Sequence, residues 1–170
     1  YFETSYKEFL SWIRLGHPGP PLRNGFAMAA LRASDGAFLL GEMGPDTSNA
    51  GKIYFAAGTP DLEDVLADGA VDLAGSVLRE MEEETGLRRA EVSVGEGWTV
   101  LLERGRAAFM RPVSLPMPAD EARALMLARM KALPEQELSD IVIIRSAADI
   151  VADTRRMPLF MQRYLAHMFG

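Results

Sequence analysis

Four glutamates crowd into the five positions from Glu80 to Glu84, with Arg79 directly before them and Gly86-Leu87 close behind. On a helix, with about 100° between successive residues, Glu80, Glu83 and Glu84 share one face while Glu82 and Arg79 point elsewhere. Like charges at that spacing disfavour an isolated helix. Gly86 is a natural left-handed stop, which puts the acidic turn at the helix end, where the macrodipole also opposes carboxylates. Such a cluster calls for compensating positive charge. A hard divalent cation, which takes oxygen ligands, supplies it.

A triple-Glu helix end on its own reads most simply as a solvated surface turn. Arg79 and the Gly-Leu ending set this one apart. Arg79, Glu80, Met81, Glu83, Glu84, Gly86 and Leu87 fill all seven specified positions in the second half of the Nudix signature, G-x5-E-x7-R-E-U-x-E-E-x-G-U with U aliphatic. The segment therefore resembles the catalytic helix of the Nudix hydrolase family.

The first half departs from that pattern. Counting back from Arg79, the signature glycine falls on Val65 and its early glutamate on Val71. Phe55-Ala56-Ala57-Gly58-Thr59-Pro60 instead looks like the strand end and glycine turn that open a Nudix box. Gly58 then takes the place of the signature glycine, with seven extra residues in the loop before the helix. Asp61, Glu63, Asp64, Asp68 and Gly69 suit a loop, and Asp72 suits a helix N-cap. Asp72 or Glu63 is the candidate stand-in for the early glutamate.

The elements that must position these residues follow from periodicity. Residues 2–15 carry Phe2, Tyr6, Phe9, Leu10 and Ile13 at helical spacing, which predicts an amphipathic helix packed on the domain edge. A partner-binding or homodimer-forming role for this helix is the alternative. Ser34-Asp35-Gly36 between the apolar runs Phe26–Leu31 and Ala37–Leu40 predicts a hairpin. Lys52–Ala56 predicts a strand delivering the chain to Gly58. The helix Asp72–Thr85 buries Ala74, Val77, Leu78 and Met81 beside its acidic face. Strands are expected at Val92–Val94, Trp98–Leu102 and Ala107–Leu115. A Met-rich helix over Asp120–Leu133 is expected to fill core, followed by the strand Ile141–Ile144, buried on both faces. A short helix at Ala147–Ala152 and a closing helix from Pro158 to Phe169, a lid on the sheet edge, complete the chain. This order predicts one α/β domain over 1–170 with a central mixed sheet and helices on both faces. It agrees with the α/β/α sandwich that the resemblance implies. Residues 1–20 form an N-terminal helical extension, and 146–170 form C-terminal helices.

Composition bounds the function. At 170 residues the chain is long enough for one sizeable core. A net charge of −6 argues against a nucleic-acid polymer as partner, though a bound cation can invert the local field for a small anionic substrate. The absence of cysteine excludes disulfides, thiolate nucleophiles and zinc-thiolate sites. No membrane span or signal peptide is read, so cytoplasm is the expected compartment.

The resemblance implies hydrolysis of a phosphoanhydride in a nucleoside diphosphate linked to a group X, a nucleotide sugar or ADP-ribose-like compound. It implies Mg²⁺ or Mn²⁺ held by Glu80, Glu83, Glu84 and the Gly58 carbonyl, with Arg79 orienting a glutamate. Glu137, or its neighbour Glu135, is the candidate general base. Phe26, Tyr54, Trp98 and Phe109 are candidates to stack a base. Arg23, Arg32, Arg104, Arg106 and above all Arg111 are candidates to reach phosphate. Coenzyme A ranks low as substrate, because Met43 and Ser48 stand where that subgroup's arginines lie. The alternative from a different class is a Nudix-fold nucleotide-binding or regulatory module without catalysis.

Overall fold

Apolar alternation in the strands and apolar stripes on the helices leave two layers of side chains, one on each side of a single sheet. The computed structural model describes residues 1–152 and 155–170. Helix α1 spans Tyr6–Arg14, and the strands are β1 (Asn24–Arg32), β2 (Phe38–Met43), β3 (Ile53–Tyr54), β4 (Ala57–Gly58), β5 (Ser93–Val94), β6 (Thr99–Glu103), β7 (Arg106–Ser114) and β8 (Leu138–Ile144). The remaining helices are α2 (Leu73–Thr85), α3 (Ala119–Met130), α4 (Ala147–Ala152) and α5 (Leu159–Phe169). The sheet runs β3-β2-β1-β7-β5, with β8 on β2, β4 on β1 and β6 on β7. The pairing of β1 with β7 is parallel and the others are antiparallel, so the sheet is mixed, as the element order predicts.

The Asp-Gly hairpin forms, but only at its mouth. Arg32 pairs with Phe38, after which the two strands part. β1 continues along β7 and β2 along β8. The expected strand Lys52–Ala56 fills the resulting split in two pieces: Ile53 and Tyr54 pair with β2, then Ala57 and Gly58 cross to β1. That crossing carries Gly58 to the middle of the sheet, opposite Ala27.

One apolar layer joins Ala27, Ala29, Leu39 and Ile141 of the sheet to Val77 and Met81 of α2 and Met126 and Met130 of α3. The other joins Met28, Leu40, Met110 and Ile144 to Phe160, Met161, Tyr164 and Leu165 of α5. The closing helix therefore covers a face of the sheet rather than its edge. Four apolar residues at helical spacing demand a broad apolar partner.

Helix α1 is shorter than 2–15 and buries no residue. Ser5 and Glu8 close a capping box at its start, with Glu8 N–H donating to Ser5 Oγ at 3.2 Å and Ser5 N–H to Glu8 Oε2 at 3.0 Å. It is attached at its far end, where Arg104 donates to the Gly16 carbonyl at 3.1 Å. Among the described residues, no helix is long and apolar enough to cross a membrane.

Candidate active site

Helix α2 begins where Asp72 accepts the Gly75 N–H at 2.9 Å and ends at Gly86, whose φ of 70° is left-handed. Both limits match the sequence expectation. Val77 and Met81 fix the helix on the sheet, so the next arc of its surface faces β4. Gly58 lies against Glu80 there, and a Cβ at Gly58 would collide with the Glu80 carboxylate.

Arg79 departs from the expectation that it points away from the acidic face. Its guanidinium reaches back to Glu80 at 3.0 Å and Glu83 at 3.4 Å. The same group donates to both oxygens of Asp64, at 3.1 and 2.9 Å. Its long stem allows this, and the i, i+4 spacing to Glu83 favours it. Burial opposes the arginine's charge, but the Asp64 hydrogen bonds and the fields of Glu80, Asp64 and Glu83 outweigh it and raise its pKa.

Asp64, rather than Asp72 or Glu63, is the acid of this loop that meets Arg79. Asp72 is occupied in capping α2, and Glu63 is exposed. Asp64 is buried, with 7% exposure. The signal was present in the sequence. Five residues separate Gly58 from Asp64, the signature's own G-x5-E interval with aspartate in place of glutamate. The seven extra residues come after the acid, as Val65–Val71. An antiparallel bridge between Val65 and Val71 pinches them off, and Asp72 N–H donates to the Asp64 carbonyl at 2.8 Å. The insertion thus loops out without displacing the acid from its arginine.

Glu84 is buried, with 6% exposure. Its Oε1 accepts the Ala57 N–H of β4 at 3.4 Å, and its Oε2 has no partner. Burial pushes its carboxyl up to about 8; the Ala57 bond opposes this, and the fields of Glu137, Glu80 and Glu83 reinforce it. Glu80 is also raised, by burial and by Glu83, Glu137 and Asp64 against the pull of Arg79. Hard oxygen donors, one of them orphaned, beside a bare glycine backbone fit a divalent cation in chemistry. Among the described residues, however, no three acidic side chains stand together in a grouping that would hold a metal. Arg79 holds Glu80 and Glu83, while Glu84 turns to β4.

Glu137 is exposed on the loop before β8. That loop is pinned by its own carbonyl, which accepts the Gly44 N–H at 2.7 Å. Its charge adds to the fields that raise Glu80, Glu84 and Tyr54. Tyr54 hydroxyl accepts from Asn49 at 3.2 Å and is pushed up to about 12, chiefly by burial.

The other candidates lie elsewhere or are engaged. Phe26 packs edge-on to Phe160 and Trp98 to Phe109. Arg111 lies over the Trp98 ring at 5.1 Å and donates to the Gly97 carbonyl. Arg32 bonds the Gly36 carbonyl. Arg23 and Arg104 line a groove beside His17 and Gly105, a wall that includes none of the acidic residues.

No family model matches the chain, and no curated protein sequence matches it. Solved structures do. A Nudix hydrolase from M. smegmatis, RenU, is 18% identical over 86% of this chain and 83% of its own, with a TM-score of 0.57. A C. elegans Ap4A hydrolase is 14% identical over 84% and 93%, with a TM-score of 0.58. A bifunctional NMN adenylyltransferase/ADP ribose pyrophosphatase from Francisella tularensis is 14% identical over 95% of this chain and 45% of its own, with a TM-score of 0.61. Identities this low speak to architecture, and on that architecture the chain is a Nudix-fold protein.

Proposed function

We propose that the chain is a Mg²⁺- or Mn²⁺-dependent hydrolase of a small-molecule nucleotide. It would split the phosphoanhydride of a nucleoside diphosphate linked to a sugar or ribose-type group X. The observation that carries this reading is the Asp64–Arg79–Glu80/Glu83 network beside a buried Glu84 with an orphaned oxygen. A surface turn of glutamates needs neither a buried aspartate to hold its arginine nor a glycine pressed against its first carboxylate. The Nudix hydrolases among the similar structures, including an Ap4A hydrolase and an ADP ribose pyrophosphatase, support the reaction class.

In this reading Glu80, Glu83, Glu84 and the Gly58 carbonyl would hold the cation. When bound, it would stabilise charge on the phosphate oxygens and lower the pKa of a bound water. Arg79, fixed by Asp64, orients Glu80 and Glu83 toward that place. Glu84 carries a proton at neutral pH without a cation and releases it when one is held. Glu137, solvated and apart from the ligand set, accepts the proton of the attacking water at its carboxylate.

One observation favours the alternative, a nucleotide-binding module without catalysis: Arg79 already compensates two of the three glutamates. An assay for release of the nucleoside monophosphate over a panel of nucleotides, with each metal, separates the two. Turnover that vanishes in Glu83→Gln plus Glu84→Gln supports the hydrolase; binding without turnover supports the module.

A further inference from the structure

The insertion Val65–Val71 is a small closed hairpin whose polar groups are largely satisfied within itself. Leu66 N–H donates to the Ala70 carbonyl at 2.8 Å, Gly69 N–H to the Leu66 carbonyl at 2.9 Å and Ala70 N–H to Asp68 Oδ1 at 3.0 Å. Gly69, at φ 83°, makes the turn. The foot of the hairpin is Asp64, the residue that grips Arg79. It therefore rises directly from the wall of the acidic cluster.

Its surface combines two features. Leu62, Val65 and Leu66 are 66%, 44% and 49% exposed, three large apolar side chains within five residues and without cover. Single exposed apolar residues are ordinary, but three in so short a stretch, flanking the aspartate that holds Arg79, suit contact with a ligand or partner. Around it stand Asp61, Glu63 and Asp68, which make no ion pair among the described residues, and no lysine or arginine occurs from Thr59 to Asp72. A further phosphate reaching this rim would meet like charge within a Debye length. An uncharged group with an apolar face would meet the leucines.

We infer that this hairpin selects the substrate's X end, admitting a neutral, sugar-like group and disfavouring an anionic tail such as the terminal phosphate of a nucleoside triphosphate. The inference rests on the proposed function for what occupies the site, and not for whether that occupant is cleaved.

ADP-ribose and ATP share their adenosine and differ in charge beyond the diphosphate, which makes them the probes. Three proteins are compared in Mg²⁺ by titration calorimetry and by turnover: the full chain, a deletion of residues 65–71, and Leu62→Ser with Leu66→Ser. The deletion joins Asp64 to Asp72, whose backbones are already bonded. The full chain should bind ADP-ribose more tightly than ATP. Both variants should lose about tenfold in that ratio, as expected for one or two lost apolar contacts. An unchanged ratio in the serine variant, or a full chain that binds neither probe or prefers ATP, overturns the inference. A shifted binding ratio without turnover of either nucleotide sinks the hydrolase reading and leaves the hairpin's selectivity standing.

Discussion

Arg79 grips Asp64 through a single guanidinium nitrogen, 3.1 and 2.9 Å from the two carboxylate oxygens, across fifteen residues of sequence that include a looped-out hairpin. The pair joins the glycine turn to the acidic helix. Removing the arginine leaves Asp64 buried without its cation, and loss of one partner of such a pair costs about 3 kcal/mol. Arg79→Ala should lower urea stability by that order, and Arg79→Lys, which lacks the planar fork, by less. Equal stability of all three proteins would show that the pair does not hold the turn.

Gly58→Ala addresses the contact between the glycine turn and Glu80. The added methyl collides with the Glu80 side chain, so the carboxylate must move while the sheet remains. Circular dichroism should be unchanged. Because displacements near 1 Å can cost about a hundredfold, kcat/KM should fall by ten- to a hundredfold, on the order of that figure. Full activity in Gly58→Ala would remove Gly58 from the site.

The buried Glu84 makes stability depend on pH. Its carboxyl titrates near 8 in the fold and near its ordinary value of about 4.3 when unfolded. The folded state thus binds the proton more tightly. The stabilisation this gives is complete below the unfolded value and is lost as pH rises through about 8. In EDTA, Tm should fall between roughly pH 5 and pH 8 by more in the parent protein than in Glu84→Gln. Adding Mn²⁺ should reverse the parent's loss, because the cation takes the place of the proton. Parallel Tm profiles for parent and variant would contradict the burial argument.

Glu137→Gln removes the proposed base and keeps the loop, since the loop is held by a backbone bond to Gly44. A lost general base typically costs 10²–10⁴-fold, so kcat should drop by about a hundredfold or more with KM little changed. An unaltered kcat would assign the base elsewhere.

Much of this molecule was legible in its sequence because local signals and tertiary packing agree. Asp72 and Gly86 bound α2 as cap and stop chemistry require, and Met126 and Met130 fill core. What was not legible depends on partners distant in sequence. The Asp-Gly turn announces a hairpin, but nothing local says that β1 and β2 will part so that Ile53–Gly58 can enter between them. Arg79 belongs to another sector of the helical wheel, yet its stem is long enough to return to Glu80 and Glu83 once Asp64 anchors it. Asp64 stands at the G-x5-E interval from Gly58, but the seven-residue insertion puts it out of register with Arg79.

In the proposed function the acidic turn of α2 gathers a divalent cation for cleavage of a pyrophosphate. Release of AMP from ADP-ribose, and of the nucleoside monophosphate from nucleotide sugars, in Mg²⁺ or Mn²⁺ reads that cleavage itself. Turnover should disappear in EDTA and in Glu83→Gln plus Glu84→Gln, with the double variant still folded. Cleavage that persists without a divalent cation or without those two carboxylates would contradict it.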